Sequence, residues 1–149
     1  SYPHIIQLRD WLPDEIGGVA YFSFDNPAQS PRIPIYAGTN DLPQSFKVCG
    51  QHRYREDAAI WSFRETNRIA TINWDRTRKI LEPQIHYFEN KMFEDNKVIE
   101  ERAAALIKEG KNEEAKILLT KYTEDFASLT MKRWREMKAD LWSIFARGM

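Results

Sequence analysis

The feature that most constrains the fold of this 149-residue chain is a change of hydrophobic period near residue 57. Before it, apolar residues alternate or form short runs bounded by Gly, Pro and Asn, which is typical of β-strands. Beyond it, apolar residues recur every three or four positions, as on one face of an α-helix. The sequence therefore predicts an α+β protein, with a strand-and-loop part over residues 1–56 and a helical part over residues 57–149.

Three strands are predicted in the first part: residues 4–9, 17–25 and 30–38. The second is apolar on both faces in its middle, which predicts a central strand covered on two sides. The third contains Pro34, which has no N–H to donate to a ladder, so it is predicted to be an edge strand or a strand end. Residues 39–56 are predicted to form a long loop, and loops of that length are usually functional or packed by their own side chains.

Long helices are predicted in the second part. Asp57 is a plausible N-cap for the first helix, and Pro83 is expected to interrupt or restart the helix because it lacks a donor and clashes with the preceding turn. Gly110 suits a left-handed helix end and Asn112 the next N-cap. Helices joined by so short a loop are antiparallel neighbours, and roughly 25 to 35 residues each would make them about 40–50 Å long. Such a hairpin must project from the sheet or wrap around a partner.

Charge and hydropathy exclude two classes of partner. The chain has 22 Lys plus Arg against 22 Asp plus Glu, so no net field attracts nucleic acid or an anionic membrane. No apolar run approaches the roughly 18 residues that a membrane span needs. The basic run Lys132–Arg135 is interleaved with Trp134, as in nucleic-acid-binding segments, but Glu136 and Asp140 follow it closely. We interpret it as a solvated helix face with Trp134 in the core, and we expect no nucleic-acid or membrane partner.

Histidine and cysteine spacing predicts no metal and no cofactor. His4, His52 and His86 fall on three different predicted elements, and neither HExxH nor CxxC occurs. Cys49 is the only cysteine, which excludes an internal disulfide. A nucleophilic role for Cys49 would require a positioned base. His52, two residues on in a loop, is weak evidence for one, so we interpret Cys49 as structural.

Arg32 and Asn40 are the candidate substrate-binding residues. Both lie on Pro- and Gly-punctuated segments at the ends of predicted strands, where binding sites are often built. An Arg beside a loop Asn can hold a carboxylate or a developing oxyanion. The alternative is ordinary turn hydrogen bonding.

A family resemblance is carried by several segments in a fixed order. They are His4–Arg9 (HIIQLR), Leu12–Val19 (LPDEIGGV), Pro34–Gly38 (PIYAG), Leu42–Pro43 and Asp57–Phe63 (DAAIWSF). In order and spacing they resemble the C-terminal half of the bacterial dipeptidase family that also includes the secernins. The resemblance implies an N-terminal-nucleophile cysteine hydrolase with an αββα sandwich, which cleaves dipeptides and other short peptides without a metal. Its nucleophile would be a cysteine freed at the N-terminus by processing, with the α-amino group as base.

The resemblance also implies what this chain lacks. Residue 1 is Ser, and Cys49 falls where the family has no nucleophile, so no catalytic residue is assigned and the chain alone is expected to be inactive. The strand-like start at His4 predicts a cut-out piece or a processed chain of a longer protein, and the resemblance implies that it is the C-terminal part of a larger hydrolase. Arg32, in Ser30-Pro31-Arg32, loosely matches a Ser-x-x-Arg-like strand that supports the site in related amide hydrolases.

Several partners are expected on this interpretation. They are a dipeptide or short-peptide substrate, the missing N-terminal part of the enzyme, and a second copy of the chain in a homo-oligomer. The reason for the last is that a cut sandwich would expose a sheet edge and apolar surface. The alternative interpretation is a non-catalytic interaction module that docks through the helical hairpin of residues 83–147.

Overall fold

The computed structural model describes residues 3–146, in which a small sheet packs against two long helices and one shorter helix. The elements are β1 (His4–Leu8), α1 (Asp14–Gly17), β2 (Gly18–Phe22), β3 (Ile33–Tyr36), α2 (Ala59–Ala70), α3 (Trp74–Lys108) and α4 (Asn112–Ala146). The three strands form one antiparallel sheet in the order β1-β2-β3. The predicted α+β class is confirmed. None of the helices in the described part is long and apolar enough to cross a membrane.

The sheet has one face against the helices and one that is largely open. β2 is its central strand and β3 an edge, as predicted, and the hydroxyl of Thr123 on α4 donates to the carbonyl of Pro34 on β3 (2.8 Å). Val19 is buried on the helical face, whereas Ala20 on the other face is only half-buried. Within the described residues, the expectation that β2 is covered on two sides is therefore wrong. Apolar side chains indicate that a sheet face tends to be buried, but they do not indicate which segment of a protein buries it.

Asp57 does not cap α2. The helix begins at Ala59, and Ala58 occupies the N-cap position without a side-chain hydrogen bond. The Asp57 carboxylate instead accepts a hydrogen bond from Nε of Arg55 (2.8 Å). The prediction fails because a carboxylate with a nearby guanidinium forms a charge-assisted pair in place of the cap.

Pro83 does not interrupt the helix. α3 runs without a break over its 35 residues, with Pro83 on its exposed side. The carbonyl of Lys79, four residues earlier, loses its intrahelical donor and can be satisfied by water there, which is why the helix tolerates the proline. The break falls earlier, in a 3-10 turn at Thr71–Asn73 between α2 and α3.

The predicted hairpin of long antiparallel helices is present. α3 and α4 have 35 residues each, which makes each about 50 Å long. Gly110 has φ +78°, and the Lys111 N–H donates to the Leu106 carbonyl (2.8 Å), so the predicted left-handed helix end is confirmed. Asn112 is the first helical residue and not the cap. Its side-chain amide donates to Oε1 of Glu15 (2.9 Å).

Trp134 lies at the centre of the core. It is fully buried, its indole N–H donates to the Gln29 carbonyl (3.0 Å), and its ring packs near those of Phe63 and Phe88. The charged neighbours of Trp134 form ion pairs at the surface, as between Lys132 and Glu136. The interpretation of this run as a solvated face with a core tryptophan is confirmed.

Candidate functional site

Arg32 lies in a groove between the sheet and α3. It directly precedes β3, and its guanidinium forms an ion pair with Glu89 of α3. Their side chains are 37% and 25% exposed, so solutes can reach both. The groove has a volume of about 540 Å³. Its lining residues are Ile5, Ile6, Gln7, Tyr21, Arg32, Glu89, Met92 and Phe93.

The ion pair leaves polar atoms unused. The contact joins Nη1 of Arg32 to Oε1 of Glu89, and within residues 3–146 no hydrogen bond is made by Nη2 of Arg32 or Oε2 of Glu89. Nearby, the Tyr21 hydroxyl donates to Oε1 of Gln7 (3.3 Å) and accepts from the Asn96 amide (3.4 Å). Burial raises the pKa of Tyr21, so its hydroxyl stays protonated at neutral pH. The groove therefore offers one cationic, one anionic and two neutral polar side chains on apolar walls.

Asn40 is not part of this groove. It follows β3, whereas Arg32 precedes it, so the strand separates the two residues. The Asn40 backbone N–H donates to the Thr120 hydroxyl (2.9 Å), and its side chain is exposed. The structure does not bring Arg32 and Asn40 to one site. A substrate-binding role for either residue stays a prediction.

The long loop encloses a second cavity against the open face of the sheet. It has a volume of about 400 Å³ and is lined on the sheet side by Phe22 and Ile35, and on the loop side by residues that include Phe46 and Cys49. The indole N–H of Trp61 donates to the Gly50 carbonyl (2.7 Å) and so anchors this part of the loop.

Cys49 has no hydrogen-bonded base in this loop. Its thiol is exposed, and the exposed His52 makes no hydrogen bond to it. A nucleophilic cysteine needs a positioned base that takes up its proton. Within the described part of the chain, no three His, Cys, Asp or Glu side chains converge on a point that could hold a metal ion.

A partly buried charge network that sequence reasoning missed joins the sheet to α3. The Arg9 guanidinium donates two hydrogen bonds to Glu100 (3.0 and 2.8 Å), and the Tyr36 hydroxyl donates to the same carboxylate (2.8 Å). Burial, and then the neighbouring Glu100 carboxylate, raise the pKa of Tyr36 far above its ordinary value. No local pattern could have indicated this network, because Arg9 and Glu100 are 91 residues apart.

A second network orients the segment that leads to Arg32. Asp25 has φ 63°, in the left-handed region, and its carboxylate accepts from Nε of Arg64 (3.1 Å) and from the Asn67 amide (3.1 Å). The same buried amide donates to the Ser30 hydroxyl (2.9 Å), two residues before Arg32. Left-handed backbone at a non-glycine residue persists only where surrounding contacts hold it. The connection between β2 and β3 is thus fixed by α2.

Comparison with known proteins places this chain in a family. The model of Peptidase family C69 matches residues 1–86, which include the sheet, the long loop, α2 and Arg32. Probable dipeptidase B from Lactococcus lactis subsp. lactis (strain IL1403) is 29% identical over 72 residues, which are 48% of this chain and 15% of that protein. The chain therefore corresponds to a small part of the length of that relative. The predicted dipeptidase relationship is confirmed: the chain belongs to Peptidase family C69.

Proposed function

We propose that this chain is the C-terminal region of a cysteine dipeptidase, a peptide-bond hydrolase whose N-terminal cysteine nucleophile lies outside the chain. The observation that carries the proposal is the match of residues 1–86 to a peptidase family. The similarity to a probable dipeptidase supports peptide hydrolysis as the activity of the whole enzyme. The aligned segment covers only 15% of that dipeptidase, which supports the proposal that this chain is one part of a larger enzyme.

The open face of the sheet supports the same proposal. Residues alternate between the two faces of a strand, so Leu8, Ala20 and Ile35 share the face that the helices do not cover. Leu8 is 79% exposed, and Ala20 and Ile35 are half-buried. An apolar sheet face needs a second layer to bury it. We propose that the remainder of the enzyme supplies that layer, as a second sheet of an αββα sandwich, and that the groove between this sheet and α3 forms one wall of the substrate cleft.

The proposed reaction is amide hydrolysis through an acyl-cysteine intermediate. The thiol gives its proton to the α-amino group of the same cysteine, and the sulfur then attacks the carbonyl carbon of the scissile bond. The C–N bond breaks, the leaving amine takes up the proton, and water hydrolyses the thioester to release the acid. No cofactor is required. The contribution of this chain would be binding, with Arg32 holding the substrate carboxylate by charge-assisted hydrogen bonds.

Hydrolysis of a panel of dipeptides tests this proposal, with the chain alone compared with the full-length protein that contains it. We expect turnover only by the full-length protein, lost when its N-terminal cysteine is replaced by Ala and retained in Cys49→Ala. Turnover by the chain alone that disappears in Cys49→Ala would show that the nucleophile is Cys49. Absence of peptidase activity in the full-length protein would refute the dipeptidase proposal.

A second candidate function is a protein-interaction module built on the hairpin. Val98 of α3 and Leu129 of α4 are exposed and line a groove of about 420 Å³ between the helices, with Lys121 and Asp125 among its charged lining residues. Such a groove could seat a partner helix or a second copy of the chain. Sedimentation at increasing concentration tests the second copy: Leu129→Lys should abolish self-association, and a chain that stays monomeric at high micromolar concentration excludes the homo-oligomer.

A further inference from the structure

We infer that the groove lined by Arg32 and Glu89 binds an unblocked dipeptide with apolar side chains as a zwitterion. Arg32 takes the α-carboxylate of the substrate and Glu89 takes its α-ammonium group. This inference rests on the proposed dipeptidase function and deepens it, because it assigns the two charged ends of the substrate to two residues of this chain.

The charges of the groove complement a zwitterion. Arg32 precedes β3 and Glu89 lies on α3, so the two opposite charges come from elements on either side of the groove. Their mutual contact uses only Nη1 of Arg32 and Oε1 of Glu89. The remaining N–H groups of the guanidinium can hold a carboxylate, and Oε2 can accept from an ammonium group, without separation of the pair. Partly desolvated surroundings strengthen both contacts relative to water.

The walls of the groove select apolar side chains. Met92 lies on its inner side, while Ile5 and Phe93 present large exposed apolar side chains along it. A substrate side chain placed there would cover apolar surface that water now contacts. In an open groove each methylene missing from the substrate should lower kcat/KM by up to roughly 4-fold. Dipeptides with Leu or Phe side chains should therefore be preferred over those with Gly.

The spacing of the charges limits the length of the substrate. Arg32 and Glu89 are in contact, so their unused polar atoms lie close together. The termini of an extended dipeptide are about 7 Å apart, and each further residue adds about 3.5 Å. A longer extended peptide cannot engage both residues at once. The groove should therefore bind dipeptides in preference to longer peptides.

Kinetics of the full-length protein with blocked substrates test the inference. Leu-Leu is compared with its C-terminal amide and its N-acetyl derivative, measured as substrates or, if they are not cleaved, as competitive inhibitors. We expect Arg32→Gln to weaken the interaction with Leu-Leu and N-acetyl-Leu-Leu roughly 10-fold or more, and to leave that with the amide almost unchanged. Glu89→Gln should weaken the interaction with Leu-Leu and the amide, and leave that with N-acetyl-Leu-Leu almost unchanged.

A matched control is Lys138→Gln, which removes a similarly exposed ion pair with Glu65 outside the groove and should alter none of the three. Arg32→Lys should recover part of the affinity because it retains the charge. If Arg32→Gln and Glu89→Gln lose affinity equally for all three compounds, or for none of them, the inference is overturned. The proposed function would still stand in that case, provided that the wild type hydrolyses dipeptides. A wild-type protein that hydrolyses no peptide would refute the proposed function itself.

Discussion

Replacement of Arg9 by Met tests the charge network that joins the sheet to the hairpin. The guanidinium of Arg9 donates two hydrogen bonds to Glu100 and one to the Ile16 carbonyl (2.7 Å). Methionine retains an apolar stem of similar length but removes every one of these donors. The Glu100 carboxylate would keep only the hydrogen bond from Tyr36 (2.8 Å). A charge in a partly buried position would then lack its counter-ion.

The expected loss follows from the exposure of the pair. Removal of one partner of a fully buried ion pair costs about 3–5 kcal/mol. Arg9 and Glu100 are 13% and 21% exposed, so water compensates in part, and we expect the free energy of unfolding to fall by about 2–3 kcal/mol. In the double variant Arg9→Met/Glu100→Gln no charge is left unpaired. Its loss should be smaller than the sum of the two single losses by about 1–2 kcal/mol.

Urea unfolding followed by tryptophan fluorescence measures these differences, since the chain has five Trp. The control is Lys91→Met, which removes a pair with Asp95 one helical turn away that is more exposed (2.7 Å). It should cost no more than about 0.5 kcal/mol. A loss below about 1 kcal/mol for Arg9→Met, or additive losses in the double variant, would refute this reasoning.

Two further substitutions test the helices. Pro83→Ala should raise the free energy of unfolding by about 1–3 kcal/mol in the same assay, because it supplies the donor that the Lys79 carbonyl lacks. A decrease would mean that the proline stabilises α3 in another way. The Tyr122 hydroxyl donates to Oδ1 of Asn96 (2.6 Å), and burial raises the pKa of Tyr122 above the ordinary value for tyrosine. Above about pH 10 the unfolded chain therefore loses a proton from Tyr122 that the folded chain keeps. The free energy of unfolding should then fall by about 1.4 kcal/mol per pH unit because of this group. Between about pH 10 and 12, the free energy of unfolding of Tyr122→Phe should fall less steeply with pH than that of the wild type, by the same amount. Equal slopes for the two proteins would contradict this assignment.

Much of the fold could be predicted because it depends on local interactions. The period of apolar residues indicated the strands and the two long helices. A glycine without Cβ suits a left-handed helix end in almost any context, which is why the role of Gly110 could be predicted. Asp57 and Pro83 were interpreted by equally local rules and the predictions failed. The nearby guanidinium of Arg55 and the exposure of Pro83 decided those two positions.

The candidate site could be predicted only in part. Arg32 stood out because it lies beside prolines at a strand end, but its partner Glu89 is 57 residues away on a helix whose pattern does not distinguish it from other surface acids. Asn40 stood out by the same reasoning as Arg32, yet the length of β3 separates them. Side chains that meet across a groove come together through packing, and a single sequence carries no local signal for that.

The sequence by itself determined the class of the fold, the approximate positions of the three strands and the two long helices, and the family, because each depends on residue order and short-range periodicity. Only the tertiary structure decided which charges meet: Arg9 with Glu100 in a partly buried position between the sheet and α3, and Arg32 with Glu89 in the groove. It also showed which face of the sheet stays open. The physical reason is that ion pairs and burial depend on distances between elements, and those distances follow from the packing of the whole chain.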